Sequence, residues 1–356
     1  FGDPNRFKVD FYRMLKYDSQ QVSFKPPGQP RGAYTGNDPA HPYLDKWAKI
    51  AENSEKDRFD LAAGLQRATE VYMKEIFTEL LNAYPEYDHL CISGGVSLNS
   101  VAMGKLLGWF GDRLVDVYSA PTPHDGGLTI GAAQYVWHHI LDNPRINWED
   151  NFTPYLGFSY DGVKETLDKY DNITYSTADD DQVVDLLDKQ NIIAVFGGGS
   201  ESGRRALGNR SILADPRSPN MKDLINEKVK HRQWFRPFAP SILREEARNW
   251  FSIDKNSPYM SFVIDFKDEV KDKVPAVVHQ DGTARLQTVT EQDNKWYHGF
   301  IKKWYEKSGV PIVLNTSFNE REPICETPEH AINCFLRTNI DYLYFFDKKL
   351  LVRKNK

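Results

Sequence analysis

An apolar run that ends at three consecutive glycines constrains the fold of this chain most strongly. The run is Ile192-Ile193-Ala194-Val195-Phe196, and residues 197–238 that follow read GGGSESGRRALGNRSILADPRSPNMKDLINEKVKHRQWFRPF. A short apolar run that stops at glycines is typical of a buried strand ending in a turn. Basic side chains then follow at short intervals, namely Arg204, Arg205, Arg210, Arg217, Lys228, Lys230, Arg232 and Arg236.

These basic residues have two interpretations. The planar guanidinium of arginine matches phosphate and carboxylate groups, so arginines interspersed with apolar residues indicate a buried anion site. The structural alternative pairs them with the carboxylates of the same segment, namely Glu201, Asp215, Asp223 and Glu227. Spacing alone leaves both interpretations open.

The composition indicates a globular chain. Its 356 residues are 40% hydrophobic and 13% aromatic, which supports packed cores and argues against disorder. The formal net charge of -5 provides no overall basic field and argues against general nucleic-acid binding. Without a run of 18 apolar residues or a signal-peptide pattern, we expect a cytoplasmic protein that does not span a membrane. The spacing of Cys91, Cys325 and Cys334 predicts neither a disulfide framework nor a zinc site.

Strands, glycine turns and helices alternate along the chain, which predicts a mixed α/β fold. A polar stretch from Asp142 to Tyr155 divides it into two predicted domains, residues 1–150 and 151–356. Residues 1 to about 55 predict irregular structure with short elements, and the apolar spacing from Arg58 onwards predicts a long amphipathic helix. Further helices are predicted at Asn99–Trp109, Gly126–Leu141, Asp180–Lys189, Met221–Val229, Lys295–Lys307 and Glu329–Leu336. Strands are predicted at His89–Ile92, Val115–Tyr118, Ile192–Phe196, Met260–Phe266, Ala276–Val278 and Pro311–Leu314.

Long motifs of the second domain carry a resemblance to a known family. They are Glu201–Leu213, Asp215-Pro216-Arg217, Lys230–Pro240, His279–Val289 and Leu314–Asn319. In content and order they resemble the C-terminal domain of the O-carbamoyltransferases, which include nodulation, cephamycin and tobramycin enzymes. The resemblance implies a partial lobe of the actin and sugar-kinase type, followed by a YrdC-like α/β domain.

The resemblance implies an adenylation chemistry for the second domain. YrdC-like proteins carry Lys-x-Arg and Ser-x-Asn signatures, which match Lys230-His231-Arg232 and Ser317-Phe318-Asn319. Formation of a carbamoyl-adenylate from carbamoyl phosphate and Mg²⁺-ATP gathers several anionic oxygens, which fixed cations must neutralise. The implied catalytic residues are Lys230, Arg232, Ser317 and Asn319. The implied ligand-binding residues of this domain are Arg205, Asp281, Gly282, Thr283 and Arg285.

Two glycine-containing segments of the first domain also resemble the family. Gly94, Gly95 and Asn99 match a nucleotide-lobe segment, in which paired glycines let backbone amides approach a phosphate. Asp125 matches an aspartate that binds a divalent metal, iron or manganese, together with two histidines. On the residues alone, Asp125 before a glycine-opened helix also fits an N-cap.

The histidines that complete this metal site in the family have no counterpart here. They form a His-x-x-x-His pair ahead of the point where this sequence begins, and no histidine of this chain has a partner four residues away. We therefore expect a fragment, or a lobe supplied from elsewhere.

Three functions follow from these observations. The first is an ATP-dependent O-carbamoyltransferase that passes the carbamoyl group to a small-molecule hydroxyl. The second is a supplier of carbamoyl-adenylate to a protein thiol, and the third is a half-enzyme or nucleotide-binding protein that needs a further lobe. The acceptor, the metal and the oligomeric state, a homodimer included, stay open.

The sequence context also predicts two classes of arginine. Arg205 and Arg285 lie in motif positions, and we expect them to face one pocket with Lys230. Arg217, Arg244 and Arg248 lie in acid-rich sequence, and we expect them to pair with carboxylates at the surface.

Overall fold

The computed structural model describes residues 1–16, 42–145 and 153–355. They form two compact units, Phe1–Leu90 with Leu106–Val117, and Cys91–Lys105 with Tyr118–Lys356. Within these residues, no helix has the length and apolar character needed to cross a membrane. Half of the predicted junction, residues 146–152, lies outside the described residues, so the domain boundary at residue 150 stays a prediction.

The fold is mixed α/β, as the sequence predicts. The helices are α1 (Lys8–Lys16), α2 (Pro42–Asn53), α3 (Glu55–Ala83), α4 (Ser100–Phe110), α5 (Leu128–Tyr135), α6 (Val163–Leu167), α7 (Asp180–Asp188), α8 (Met221–Lys228), α9 (Ala247–Trp250), α10 (Lys295–Ser308) and α11 (Pro328–Arg337). The strands are β1 (His89–Ile92), β2 (Asp116–Ser119), β3 (Ile173–Thr177), β4 (Ile193–Phe196), β5 (Arg210–Ala214), β6 (Ala239–Leu243), β7 (Phe262–Asp265), β8 (Thr283–Val289), β9 (Ile312–Ser317), β10 (Tyr342–Phe345) and β11 (Leu350–Lys354).

The first unit is built on the long helix α3. Ser54 caps this helix by accepting a hydrogen bond from the Asp57 backbone N–H, which satisfies one of the free donors of the first turn. Helices α1 and α2 both pack against α3. Phe11 and Trp47 lie in their shared apolar core with ring centroids 4.3 Å apart. The N-terminal region therefore contains two packed helices where we expected irregular structure with short elements, and residues 17–41 lie outside the described part of the chain.

The second unit contains a nine-stranded sheet of order β3-β11-β10-β4-β5-β9-β6-β8-β7. The pairs β10/β4 and β6/β8 are parallel, and the other neighbours are antiparallel. Helices α7 and α10 pack together, and their apolar side chains share one core with the central strands. Trp304 of α10 is fully buried there, and its indole N–H donates to the Ile312 carbonyl at 2.8 Å. This packing holds the central strands against the two helices.

Most predicted elements are confirmed, with ends that differ by a few residues. The predicted helix Gly126–Leu141 consists of a 3-10 turn at Asp125–Gly127, α5 and a π-helical segment at Val136–Ile140. The predicted strand Ala276–Val278 is wrong, because Pro275–Val277 forms a 3-10 turn. Pro275 sits at its start, where a fixed φ and a missing N–H suit a helical turn better than a ladder.

The sequence analysis missed several strands of the large sheet, namely β3, β5, β6, β8, β10 and β11. Strand β5 reads Arg-Ser-Ile-Leu-Ala, and all five residues are buried. Polar residues inside buried strands hide the period-2 pattern from which strands are predicted. The segments of β5 and β8 were therefore recognised only as motifs and were not predicted as strands, although both lie inside the sheet.

We predict that Gly208→Ala destabilises the sheet unit. Gly208 has a φ of 123°, and a Cβ at this position would lie 2.5 Å from Cδ1 of Tyr297. Backbone strain of this kind typically costs about 1–3 kcal/mol, and the ring contact adds to it. The shift in the urea unfolding midpoint measures the effect.

Gly299→Ala is the matched control. This glycine lies in α10, and a Cβ there meets nothing within 4 Å. Alanine in an open helical position should stabilise by about 0.5–1 kcal/mol. Equal midpoints for the two variants would contradict the packing described for the Gly208 turn.

Candidate active site

The site begins at the end of strand β9. Side chains of one strand alternate between the two faces of the sheet, so Val313, Asn315 and Ser317 point to the same face. Val313 belongs to the apolar core, Asn315 is buried, and Ser317 is half-buried at the rim. The strand therefore runs from core to cleft, and the chain then turns at Asn319.

A buried polar layer separates the apolar core from the cleft. Ser241 of β6 donates its hydroxyl hydrogen to Oε1 of Gln287 on β8, and Asn315 Nδ2 donates to the same oxygen at 2.9 Å. Gln287 Nε2 donates to the carbonyl of Leu207 at 2.9 Å, and Asn315 Nδ2 to that of Ala206 at 3.2 Å. Three strands thus hold the loop after β4 over the end of the sheet.

Lys230 is the central cation of the cleft. Its side chain is buried, and its Nζ donates to the carbonyl oxygens of Ser317 and Asn319, the latter at 2.7 Å. Nζ also contacts Asn319 Oδ1 at 2.9 Å and Ser317 Oγ at 3.4 Å, and Ser317 Oγ donates to Asn319 Oδ1 at 2.7 Å. The Lys-x-Arg and Ser-x-Asn motifs, 87 residues apart in sequence, therefore meet at one ammonium group.

The environment of Lys230 weakens its proton affinity. Burial and the nearby Arg232 charge lower the pKa of Lys230 to about 7, from an ordinary value of 10.5. Burial penalises the charged form because the interior solvates it poorly. An anion that enters the cleft would restore the ammonium form, so charge at Lys230 depends on what the cleft contains.

Arg232 is held by a residue outside every predicted motif. Its Nε donates to Oδ1 of Asn226 at 2.7 Å, and its guanidinium lies 4.7 Å from the ring centroid of Phe238. Asn226 is buried, and its Nδ2 donates to the carbonyl of Arg236 at 3.0 Å. Burial and the neighbouring Arg236 charge lower the pKa of Arg232 to about 10. Asn226 uses the Nε donor and leaves the terminal nitrogens of Arg232 without a carboxylate partner among the described residues.

These groups line a cleft of about 510 Å³, within the usual range of ligand sites. Its lining contains three arginines, Lys230 and one carboxylate, Glu320. The lining residues are Lys230, His231, Arg232, Gln233, Arg236, Ser317, Asn319, Glu320 and Arg321. The Glu320 carboxylate is paired with its neighbour His231, whose Nδ1 lies 2.9 Å away. The excess of cations suits a polyanionic ligand.

The Glu201–Arg210 loop is organised by a carboxylate rather than by an external anion. Glu201 Oε1 accepts hydrogen bonds from the backbone N–H groups of Leu207 at 2.7 Å, Asn209 at 2.8 Å and Arg210 at 3.2 Å. The Arg210 side chain is fully buried, lies 3.7 Å from the Phe196 ring centroid, and donates to carbonyls that include that of Gly197 at 2.7 Å. Both side chains therefore bind backbone groups of the loop, whereas the structural interpretation paired the arginines with carboxylates.

Arg205 and Arg285 form a second cationic group, apart from the residues that line the Lys230 cleft. Arg285 Nε donates to Ser100 Oγ at 3.0 Å. Burial and the Arg205 charge lower the pKa of Arg285 to about 10. Arg205 lines a separate cavity of about 10 Å³ with Ser97 and Pro123. The expectation that Arg205, Lys230 and Arg285 line one pocket is therefore wrong in this structure.

The Asp281-Gly282-Thr283 block forms the turn that leads into β8. The Thr283 hydroxyl donates to Asp281 Oδ1 at 2.7 Å, and Gly282 has a φ of 85°. The His279 backbone N–H donates to the Thr283 carbonyl at 2.7 Å. These contacts close a tight turn two residues before Arg285, and the predicted ligand-binding role of the block stays a prediction.

The first-domain glycines form a turn against the segment that precedes Asp125. Gly94 has a φ of 101°, and its N–H donates to the Pro123 carbonyl at 2.6 Å. A Cβ at Gly95 would meet nothing within 4 Å. Asn99 Oδ1 accepts from the Ala102 N–H at 3.2 Å, which caps α4. Gly94, Gly95 and Asn99 are therefore structured, and their nucleotide role stays a prediction.

Asp125 is exposed at the first position of a 3-10 turn. The N-cap is His124, whose Nδ1 accepts from the Gly126 N–H at 3.0 Å, so the N-cap interpretation of Asp125 is wrong. Across residues 1–16, 42–145 and 153–355, no group of three metal-ligating side chains includes Asp125. The described residues thus do not fit a complete metal centre, and Asp125 as a ligand stays a prediction.

The predicted surface arginines are largely paired. Arg217 NH2 lies 2.7 Å from both Asp188 and Asp215, and Arg244 NH1 lies 2.7 Å from Asp254. Arg248 is exposed, and no carboxylate in the described residues pairs with it.

Comparison with known proteins identifies the family. The family model described as carbamoyltransferase C-terminus matches residues 184–354, and the model described as carbamoyltransferase N-terminus matches residues 37–134. The chain belongs to the carbamoyltransferase family. The first match contains the whole Lys230 cleft, and the second contains the Gly94 turn and Asp125.

Individual members of the carbamoyltransferase family are similar over most of this chain. An uncharacterized protein of Methanocaldococcus jannaschii is 38% identical over 328 residues, which cover 88% of this chain and 51% of that protein. Nodulation protein NolO of Bradyrhizobium diazoefficiens is 33% identical over 357 residues, covering 96% of this chain and 62% of NolO. The crystal structure of T. kodakarensis HypF matches 51% of this chain and 23% of that chain, at 17% identity and a TM-score of 0.34. That TM-score is too low for any inference. The chain spans about half the length of the curated relatives it matches.

Asn226 and the rim residue Arg321 were not predicted as parts of the site. An asparagine on the apolar face of a short helix was the available signal, because buried amides require partners. Arg236 and Arg321 are distant in sequence. The contact of Lys230 with the turn after β9 brings their segments to the same cleft.

We predict that Asn226→Ala weakens anion binding in the cleft. The substitution removes the acceptor that orients Arg232 and the donor to the Arg236 carbonyl. Because hydrogen bonds to charged groups contribute about 1.5–3 kcal/mol, we expect at least a tenfold loss of affinity for inorganic pyrophosphate by calorimetry. Asn249→Ala is the control, since Asn249 is exposed and bonds Glu246. Unchanged affinity in a folded Asn226→Ala protein would contradict the positioning of Arg232 by Asn226.

Proposed function

We propose that this chain carries the carbamoyl-adenylate-forming site of an ATP-dependent O-carbamoyltransferase. The proposal rests on one observation: Lys230, Arg232, Ser317 and Asn319 line the same cation-rich cleft. Membership of the carbamoyltransferase family supports carbamoyl phosphate as the donor. Because the chain spans only part of its relatives, the acceptor hydroxyl and the full transfer reaction belong to the proposal.

The chemistry of the proposed step explains the cations. Water first hydrolyses carbamoyl phosphate to carbamate and inorganic phosphate, and a carbamate oxygen then attacks the α-phosphorus of ATP. A C–O–P linkage forms, and the bond from the α-phosphorus to the bridging oxygen breaks, so that pyrophosphate leaves with that electron pair. Negative charge accumulates on the phosphoryl oxygens, and Lys230 and Arg232 are positioned to stabilise it. Mg²⁺ would accompany ATP as in other reactions of this class.

Within this proposal, Ser317 and Asn319 have a positioning role. Their carbonyl oxygens fix Lys230 Nζ, while the hydroxyl of Ser317 lies on the cleft side and can turn towards a ligand oxygen. Such a hydroxyl both donates and accepts. The acceptor hydroxyl then attacks the carbamoyl carbon, and AMP leaves.

A second candidate is a half-enzyme that forms the adenylate but needs a further lobe for transfer. The observation in its favour is Asp125, which is exposed and has no complementary metal ligands among the described residues. A supplier of carbamoyl-adenylate to a protein thiol would share the same first step. Products of transfer separate these alternatives, whereas adenylate formation is common to all three.

We predict that the protein forms AMP or exchanges pyrophosphate only when carbamoyl phosphate is present. Lys230→Met and Arg232→Met should each lower the rate about 100-fold to 1000-fold, because each removes one preorganised cation. Arg244→Met, which alters a surface ion pair, should stay within twofold of the unaltered protein.

This assignment fails if AMP forms at the same rate without carbamoyl phosphate, or if the two cleft variants retain full activity. Thermal unfolding of each variant, measured alongside, identifies any loss that results from misfolding.

We further predict that ATP binding takes up a proton. The pKa of Lys230 is lowered to about 7 in the free protein, so the amine is neutral above that pH. A bound polyphosphate favours the ammonium, which requires a proton from solvent, and affinity should fall as pH rises through about 7. Calorimetry at about pH 8, in buffers of different ionisation enthalpy, measures the uptake.

Lys230→Met should abolish this proton uptake, whereas Lys271→Met should retain it. Lys271 is paired with Asp268 at 2.7 Å, outside the residues that line the cleft. Proton release, or equal uptake in both variants, would contradict the role of Lys230.

A further inference from the structure

Two thiols and a carboxylate converge behind the turn that follows β9. Their ligand atoms, on Glu322, Cys325 and Cys334, all lie within 4.8 Å of one another. Cys325 and Cys334 are 2% and 0% exposed, respectively, and both are free thiols. The spacing of nine residues between Cys325 and Cys334 did not predict a zinc site. The two thiols come together only in the folded chain, where α11 places Cys334 beside Cys325. No other group of three ligating side chains is this close within the described parts of the chain.

We propose that Glu322, Cys325 and Cys334 bind one thiophilic divalent cation, for which Zn²⁺ is the natural probe. Zn²⁺ prefers thiolate sulfur at about 2.3 Å and carboxylate oxygen at about 2.0–2.2 Å in a tetrahedral arrangement. Neighbouring ligands of such a centre lie about 3.3–3.8 Å apart. The ligand atoms, at most 4.8 Å apart, therefore need to close by no more than about 1.5 Å, which rotamer adjustment can provide. A solvent molecule would complete the four ligands.

The carboxylate of Glu322 is already oriented for this role. Its Oε1 accepts from Arg337 NH2 at 2.6 Å and from the Glu320 N–H at 3.3 Å, while Oε2 accepts from the Arg321 N–H at 3.1 Å. Each carboxylate oxygen can accept more than one bond, so Oε2 retains a lone pair. Ligating carboxylates are commonly held by outer hydrogen bonds in this way.

Charge also favours a cation here. Two thiolates and one carboxylate carry three negative charges, and a divalent cation leaves one, which faces Arg337. A pair of thiols that serves only as apolar packing requires no carboxylate beside it. A Cys325–Cys334 disulfide, with Glu322 bound only to Arg337 and to backbone N–H groups, is the alternative that the experiment must distinguish.

The proposed centre would fix the turn that carries the candidate active site. The Cys325 N–H donates to the Phe318 carbonyl at 2.9 Å, and Asn319 Nδ2 donates to the Glu322 carbonyl at 2.6 Å. Cys334 lies on α11, so the metal would join this helix to the Ser317–Asn319 turn. The inference concerns a structural cation and does not depend on the proposed carbamoyl transfer.

Metal binding by the full chain tests the proposal. The protein is reduced, treated with a chelator and titrated with Co²⁺, whose bonds to thiolates give charge-transfer absorption. We expect one equivalent of Co²⁺ with this absorption, displacement by one equivalent of Zn²⁺, and a higher unfolding temperature in Zn²⁺ because a ligand stabilises the state that binds it. Cys325→Ala and Cys334→Ala should each abolish the absorption, and Glu322→Gln should weaken binding at least tenfold.

Cys91→Ala is the matched control, since Cys91 is an exposed thiol outside the cluster, and it should bind Co²⁺ as the unaltered protein does. Less than a tenth of an equivalent of bound metal in the reduced, unaltered protein would overturn the proposal, and this result does not depend on any variant folding. Retention of the absorption in both cluster variants would also overturn it. So would a thiol titration that finds Cys325 and Cys334 joined in a disulfide resistant to mild reductant.

Discussion

The candidate site depends on one buried ammonium group. Lys230 Nζ donates to the carbonyl oxygens of Ser317 and Asn319, and this contact brings a loop after α8 against the end of β9. Arg232 and the Ser-x-Asn turn therefore line the same cleft. Because Lys230 is almost wholly buried, its charge is poorly solvated, and the site gains free energy when an anion enters.

The rest of the sheet supplies a rigid support for this contact. Apolar side chains pack the central strands against α7 and α10. Ser241, Gln287 and Asn315 then anchor the loop after β4. Buried polar layers of this kind specify one arrangement because any unpaired member is costly. Glu201 and Arg210 also stabilise this loop, because they form hydrogen bonds with its backbone groups. Charged residues in a family motif can therefore serve the backbone rather than a ligand.

Much of the site could be predicted from sequence, because its motifs are local. The resemblance to YrdC-like proteins implied the pairs Lys230 with Arg232 and Ser317 with Asn319, and the structure brings them together. The different locations of the arginines could not be predicted from sequence. Arg205 lies in the same motif as Arg210, yet it lines a separate small cavity instead of the Lys230 cleft. The location of each arginine depends on the strand that it adjoins. Strands β5, β6 and β8 were not predicted, because polar residues interrupt their apolar pattern. Asn226 and the Cys325–Cys334 pair were missed for a related reason, since their partners are distant in sequence or belong to the backbone.

A crystal structure of the protein with a non-hydrolysable ATP analogue and carbamoyl phosphate tests the central claim most directly. The account predicts phosphoryl oxygens within hydrogen-bond distance of Lys230 Nζ and of the free guanidinium nitrogens of Arg232, with Asn226 still bonded to Arg232. Phosphoryl groups bound at Arg205 and Arg285, with the Lys230 cleft free of ligand, would contradict it.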